Sequence, residues 1–160
     1  MKTTPINAEA IDAVRGKTIY PQPYAALVQG RLKRKLGEAF GLCNFGVNMT
    51  ELLPGAISAL AHCHSKQEEF IFVLSGILTL KLGDEEFTLN AGDCFGFKAG
   101  TGLAHQLLNK SAAPVTYIEI GDRTEGDVVE YPHDDLRISQ HINGHWALTR
   151  KDGRPYLQTP

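Results

Sequence analysis

From Phe45 to Ile120 apolar residues come in short bursts separated by glycine-rich breaks. Glu69-Phe70-Ile71-Phe72-Val73-Leu74 is aromatic and β-branched, too short for a typical helix, and stopped by Ser75-Gly76, so it reads as a strand. Ile77 to Leu82 runs into Gly83-Asp84 and returns as Glu85 to Leu89, the signature of a tight hairpin. Asn90-Ala91-Gly92-Asp93 turns again into Cys94 to Phe97, and Ala104 to Leu108 and Val115 to Ile120 complete the run. Upstream, Pro54-Gly55 is a turn pair after Leu52-Leu53. Short strands at close spacing predict an all-β sandwich or barrel.

The flanks are patterned differently. Residues 1–44 read as an extended arm packing on the barrel, since Pro21-Gln22-Pro23-Tyr24 imposes polyproline-like or turn geometry. Within it, Asn7 to Val14 suits a short capped helix. Residues 45–121 form the barrel core, and 122–160 a more polar extension of the same domain, with Trp146-Ala147-Leu148 as a terminal strand.

Composition narrows the function classes. At 160 residues the chain fits one domain with a sizeable core. A net charge of -2 gives no reason to expect a nucleic-acid partner. The basic cluster Arg31, Lys33, Arg34 and Lys35 is short and without interleaved aromatics, so a solvated face explains it most simply. Cys43, Cys63 and Cys94 show no CxxC spacing and fit reduced thiols in the cytoplasm. The first ten residues hold no apolar signal core and no stretch reaches membrane-spanning length, which argues against secretion and membrane insertion.

The chemistry concentrates in His62-Cys63-His64, Glu69 and His105. Alternate residues of a strand share a face, so His62 and His64 point together and Cys63 points away. Glu69 opens the next strand in phase with Ile71 and Val73, and His105 shares parity with Leu107 and Asn109. A solitary strand histidine is most simply a core or surface residue. Three imidazoles and a carboxylate turned into one interior are not, because uncompensated buried charge costs several kcal/mol. Such donors suit a divalent transition metal, Fe, Mn, Ni, Cu or Zn. Four ligands on an octahedral ion leave two positions for substrate.

These residues also resemble the two motifs of the cupin superfamily. Gly55, His62-x-His64, Glu69 and Gly76 are similar to the first, with the leading glycine one residue early. Gly92-Asp93, Gly100, His105 and Asn109 are similar to the second, although Lys98 replaces its proline and two extra residues precede His105. The resemblance implies a double-stranded β-helix or jelly-roll barrel, with His62, His64, Glu69 and His105 as metal ligands. Glu68 is the rival carboxylate, because the gap after the second histidine varies; spacing to Gly76 and strand parity favour Glu69.

Several other residues have two readings. Lys98 either steers an anionic substrate or is simply solvated. Asn109 either holds His105 or caps a turn. Tyr117 and Glu119 share a face that could line the pocket, while His133, His141 and His145 lie at no ligand spacing. Phe70 and Phe72, opposite Glu69, need covering by another sheet, the arm or a second subunit, and a homodimer is expected. The leading functional expectation is a metalloenzyme on a small polar molecule, either a dioxygenase or an isomerase or epimerase of a sugar or keto acid. The alternative is a non-catalytic small-molecule binder or sensor.

Overall fold

The structure is a computed structural model, and it describes residues 2–141 and 145–156. Thirteen strands dominate it: β1 (Val14–Arg15), β2 (Arg31–Arg34), β3 (Phe45–Leu52), β4 (Cys63–His64), β5 (Glu69–Ser75), β6 (Ile77–Leu82) and β7 (Glu85–Asn90). Then come β8 (Cys94–Phe97), β9 (His105–Leu108), β10 (Val115–Asp122), β11 (Val128–Glu130), β12 (Arg137–Gln140) and β13 (Trp146–Thr149). The order β1-β2-β3-β10-β5-β8 makes one sheet, and β13-β12-β11-β4 and β7-β6-β9 make two smaller ones. Backbone bridges Ile57–Leu108 and His62–His105 join the smaller sheets, so the three enclose a barrel-like interior.

Alternation decides what fills that interior. Along β5, Ile71 and Val73 are buried while Phe70, Phe72 and Leu74 stay exposed on the opposite face. Ile71 and Val73 join Leu52, Leu78, Leu80, Leu107, Val115 and Tyr117 in the main core. The β6–β7 hairpin turns at Gly83, whose φ of 58° a side-chain-bearing residue rarely adopts. This is the hairpin anticipated from Gly83-Asp84.

The flanks depart from the simple arm and tail. β2 pairs antiparallel with β3, and β1 with β2, so the first segment widens the large sheet. Between Asn7 and Val14 the helix shrinks to one 3₁₀ turn, Ala8–Ala10, whose Glu9 amide donates to the Asn7 side chain. At the other end, β11 pairs with β4 and carries β12 and β13 with it. A second apolar cluster of Leu60, Val129, Tyr131, Leu136, Ile138 and Leu148 forms there, and Tyr20, Tyr24 and Tyr156 pack against it. The histidine end of the barrel lies between these two cores.

Candidate metal centre

His62 and His105 are held by reciprocal backbone hydrogen bonds of 3.1 and 2.8 Å, which bring their ring centroids to 4.5 Å. His64 lies two residues on, on the same face, where β4 pairs with β11. Glu69 begins β5 between β10 and β8, opposite Gly121 and Phe97. Its Oε2 lies 3.0 Å from His105 Nε2, 3.7 Å from His64 Nε2 and 3.8 Å from His62 Nε2. Glu68 turns the other way, its side chain 61% exposed and 3.9 Å from Lys98. Strand parity thus brings Glu69, and not Glu68, to the imidazoles.

The rings are oriented from behind. His62 Nδ1 donates to the Leu60 carbonyl at 2.7 Å, and His64 Nδ1 donates to Asp127 Oδ2 at 2.6 Å. Both partners only accept, so the proton sits on Nδ1 and each Nε2 presents a lone pair to Glu69. Asp127 is fully buried and also accepts from the Lys66 amide at 2.8 Å and the Ser65 hydroxyl at 3.0 Å. His105 stacks on Phe97, and His62 on Tyr131.

Electrostatics favour the ligand form of Glu69 and of His62. Burial pushes the Glu69 carboxyl up, but the His105 hydrogen bond and the fields of His62, His64 and His105 outweigh it, leaving a pKa of about 2. Burial is the main cause that lowers His62 to about 4, with His105 and His64 adding to it. Asp127 is pushed up by burial and pulled down further by His64 and by the Lys66 and Gln67 amides, for a net lowering. An ionised carboxylate and a neutral imidazole are the states that bind a cation.

The donor set fits a divalent ion. His62, Glu69 and His105 each offer a ligand atom within 4.8 Å of the others; His64 falls outside that mutual group, although its Nε2 lies 3.7 Å from Glu69 Oε2. Separations of 3.7 and 3.8 Å are too long for hydrogen bonds, so those two Nε2 lone pairs have no partner in Glu69. Atoms sharing one ion through bonds of about 2.0–2.2 Å stand apart by such distances.

A cavity of about 400 Å³ opens beside His62 and His64, with Tyr20, Tyr131, Trp146, Arg31 and Lys33 among its walls. A smaller one of about 170 Å³ reaches His64, Glu69 and His105 past Leu82, Phe95 and Leu103.

The structure revises or settles the double readings. Arg31 and Lys33 are not a solvated face: they pair with the fully buried Leu52 and Thr50 on β3, hence share their inward side. Lys33 forms an ion pair with Glu119 across β3. Asn109 does not hold His105. Its amide donates to the carbonyls of Leu52 and Ala113, and its oxygen accepts from Ser111, so it caps a turn. Lys98 is 81% exposed at the rim. Tyr117 is fully buried in the core, whereas Glu119 reaches a cavity shared with His62, Glu69 and His105. His133 and His141 are exposed and outside the cluster. Sequence reasoning missed Asp127, Tyr20 and Tyr131. Only the Gly126-Asp127 turn marked the first, and nothing local tied any of them to the histidines.

Comparisons with known proteins bear on the family and the fold. The Cupin domain family matches residues 48–121. No curated protein matches the chain. Among solved structures, a sugar phosphate isomerase from a cupin superfamily of Silicibacter pomeroyi is 37% identical, with 97% of this chain and 98% of that chain covered and a TM-score of 0.88. A protein of Acidithiobacillus ferrooxidans, which carries the name sugar phosphate isomerase provisionally, is 32% identical over 81% of each chain, with a TM-score of 0.71. The polyketide cyclase RemF of Streptomyces resistomycificus shares the fold at 18% identity, 76% and 80% coverage and a TM-score of 0.60.

Proposed function

The chain belongs to the cupin superfamily, and on that premise we propose that it is a metal-dependent isomerase of a phosphorylated sugar. The observation that carries this reading is the meeting of Glu69 Oε2 with three imidazole Nε2 atoms beside a cavity of small-molecule size. The likeness to the Silicibacter pomeroyi protein, named a sugar phosphate isomerase, supports the choice of reaction over an oxygenase.

In this reading His62, His64, Glu69 and His105 hold one divalent transition metal. When bound, the ion supplies Lewis acidity to the carbonyl and hydroxyl oxygens of the sugar. The chain itself does the rest. Leu60 and Asp127 keep the Nδ1 protons of His62 and His64 in place, so both Nε2 atoms stay available. Glu119 faces the interior from the strand beside Glu69, and its carboxylate takes and returns the proton moved between neighbouring sugar carbons. Asn48 Nδ2 donates to Glu119 Oε1 at 3.1 Å and Lys33 pairs with it, which fixes where that proton is received. Tyr20 and Tyr131 are raised by burial above the usual phenol range and stay protonated, as hydrogen-bond donors on the cavity wall.

The protein works in the cytoplasm as a homodimer. Unpaired Cys43, Cys63 and Cys94 support the location, and the exposed Phe70, Phe72 and Leu74 on the outer face of β5 support self-association. The test is turnover: protein loaded with a redox-inert divalent ion interconverts an aldose phosphate and its ketose in the absence of oxygen. Absence of turnover across three- to six-carbon sugar phosphates, with metal bound, refutes the isomerase reading.

A further inference from the structure

The cavity beside His62 and His64 is one-sided in charge. Lys17, Arg31, Lys33 and Lys35 all line it, and no aspartate or glutamate is among its lining residues. Two of these cations have acids outside the lining: Lys33 pairs with Glu119, and Lys35 with Glu38 at 2.7 Å. Lys17 and Arg31 have no carboxylate partner among the described residues. Arg31 is tied instead to two carbonyls, donating to Ser58 O and, at 2.8 Å, to Lys17 O. Those bonds use two of its five N–H donors and fix the guanidinium between the segment at Ser58 and the loop that carries Lys17.

Resting on the isomerase reading for the reaction it serves, we propose that Lys17, Arg31, Lys33 and Lys35 form a phosphate-monoester subsite that anchors the far end of the substrate. A cleft lined by one sign of charge concentrates the opposite sign, and phosphate oxygens suit a forked guanidinium and flexible ammonium groups. The aromatic wall of Tyr20, Tyr131 and Trp146 belongs to the same cavity and suits the sugar's carbon skeleton. His62 and His64 also border it, so a molecule whose phosphate meets the cations extends its reacting carbons toward the imidazoles. A volume of about 400 Å³ lies within the range of small-ligand sites. Lys33 links the two regions, since it lines both this cavity and the one shared by Glu119, His62 and His105.

The test is calorimetric and needs no turnover. Metal-loaded protein is titrated with inorganic phosphate and with non-isomerisable polyol phosphates, from glycerol 3-phosphate to sorbitol 6-phosphate, beside their neutral polyols. At least one polyol phosphate binds on the order of tenfold more tightly than its neutral counterpart. Lys17→Met, whose side chain makes no described polar contact, erases much of that preference without changing metal content or melting temperature; Arg31→Met does the same with some loss of stability. Equal affinity for phosphorylated and neutral polyols, no binding of any of them, or wild-type affinity in the double variant Lys17→Met with Arg31→Met overturns the subsite. Polyol-phosphate binding that depends on Lys17, with no turnover of any sugar phosphate, leaves the subsite standing and sinks the isomerase. Turnover with an unchanged KM in the double variant does the reverse.

Discussion

His64 and Asp127, 63 residues apart in the chain, meet at 2.6 Å through Nδ1 and Oδ2, with Asp127 wholly shielded from solvent. That contact lies behind the ring, away from Glu69. It sets which nitrogen of His64 carries the proton, and it couples the candidate metal centre to the turn that leads into β11.

Asp127→Asn replaces one acceptor by a donor that opposes the His64 Nδ1 proton. Metal affinity drops by roughly 10–100-fold, as for other partners behind metal-bound histidines. Competition with a graded chelator series measures it. An affinity equal to wild type shows that Asp127 does not orient the ligand.

Glu69→Gln and Glu68→Gln separate two adjacent carboxylates. The first removes the charge facing three imidazoles and abolishes metal retention, whereas the second loosens only an exposed contact with Lys98. Elemental analysis after gel filtration distinguishes them. Metal kept at full occupancy in Glu69→Gln refutes the ligand set.

Stability of the metal-free protein falls in acid, through two windows of the same sign. His62 has a folded pKa of about 4 against an ordinary 6.5, so the unfolded chain binds more protons and stability is lost as pH falls from 6.5 to 4. Glu69 titrates at about 2 against 4.5, so its contribution is present above 4.5 and is lost as pH falls toward 2. Melting curves across pH 4 to 7 show the first window, and His62→Gln flattens it. A melting temperature that rises on acidification contradicts the assignment.

Glu119→Gln keeps the metal and loses the proton carrier. kcat falls by about 100-fold or more with little change in KM, and exchange of solvent deuterium into the sugar stops. Unimpaired exchange assigns the proton to another group.

Phe72→Lys puts a charge in the middle of the exposed β5 face. The proposed homodimer dissociates while the melting temperature shifts little, because Phe72 is already 39% exposed in the single chain. Sedimentation velocity reads the outcome. A dimer that survives Phe72→Lys together with Phe70→Lys places the interface elsewhere.

Much of the fold was legible because it is written at short range. The Gly83-Asp84 hairpin, the inward phase of Glu69, Ile71 and Val73, and the shared face of His62 and His64 follow from a period of two and from turn chemistry. The second short strand set was not: Val128–Glu130 and Arg137–Gln140 lie in a polar tail without long alternation, and they became strands by pairing with β4 and with each other. Arg31 and Lys33 looked like a solvated cluster for the same reason. Their direction is dictated by register against Leu52 and Thr50, which lie on another strand.

The sequence by itself determined which side chains share a face within each strand, and hence that His62 and His64 point together and that Glu69 is in phase with Ile71 and Val73. Only the tertiary structure decided which strands lie side by side, and with that the approach of His105 to Glu69, the support of His64 by Asp127 and the cationic wall beside His62 and His64. The physical reason is that face parity is a property of consecutive backbone torsions, whereas a hydrogen bond across 63 residues depends on how the whole core packs.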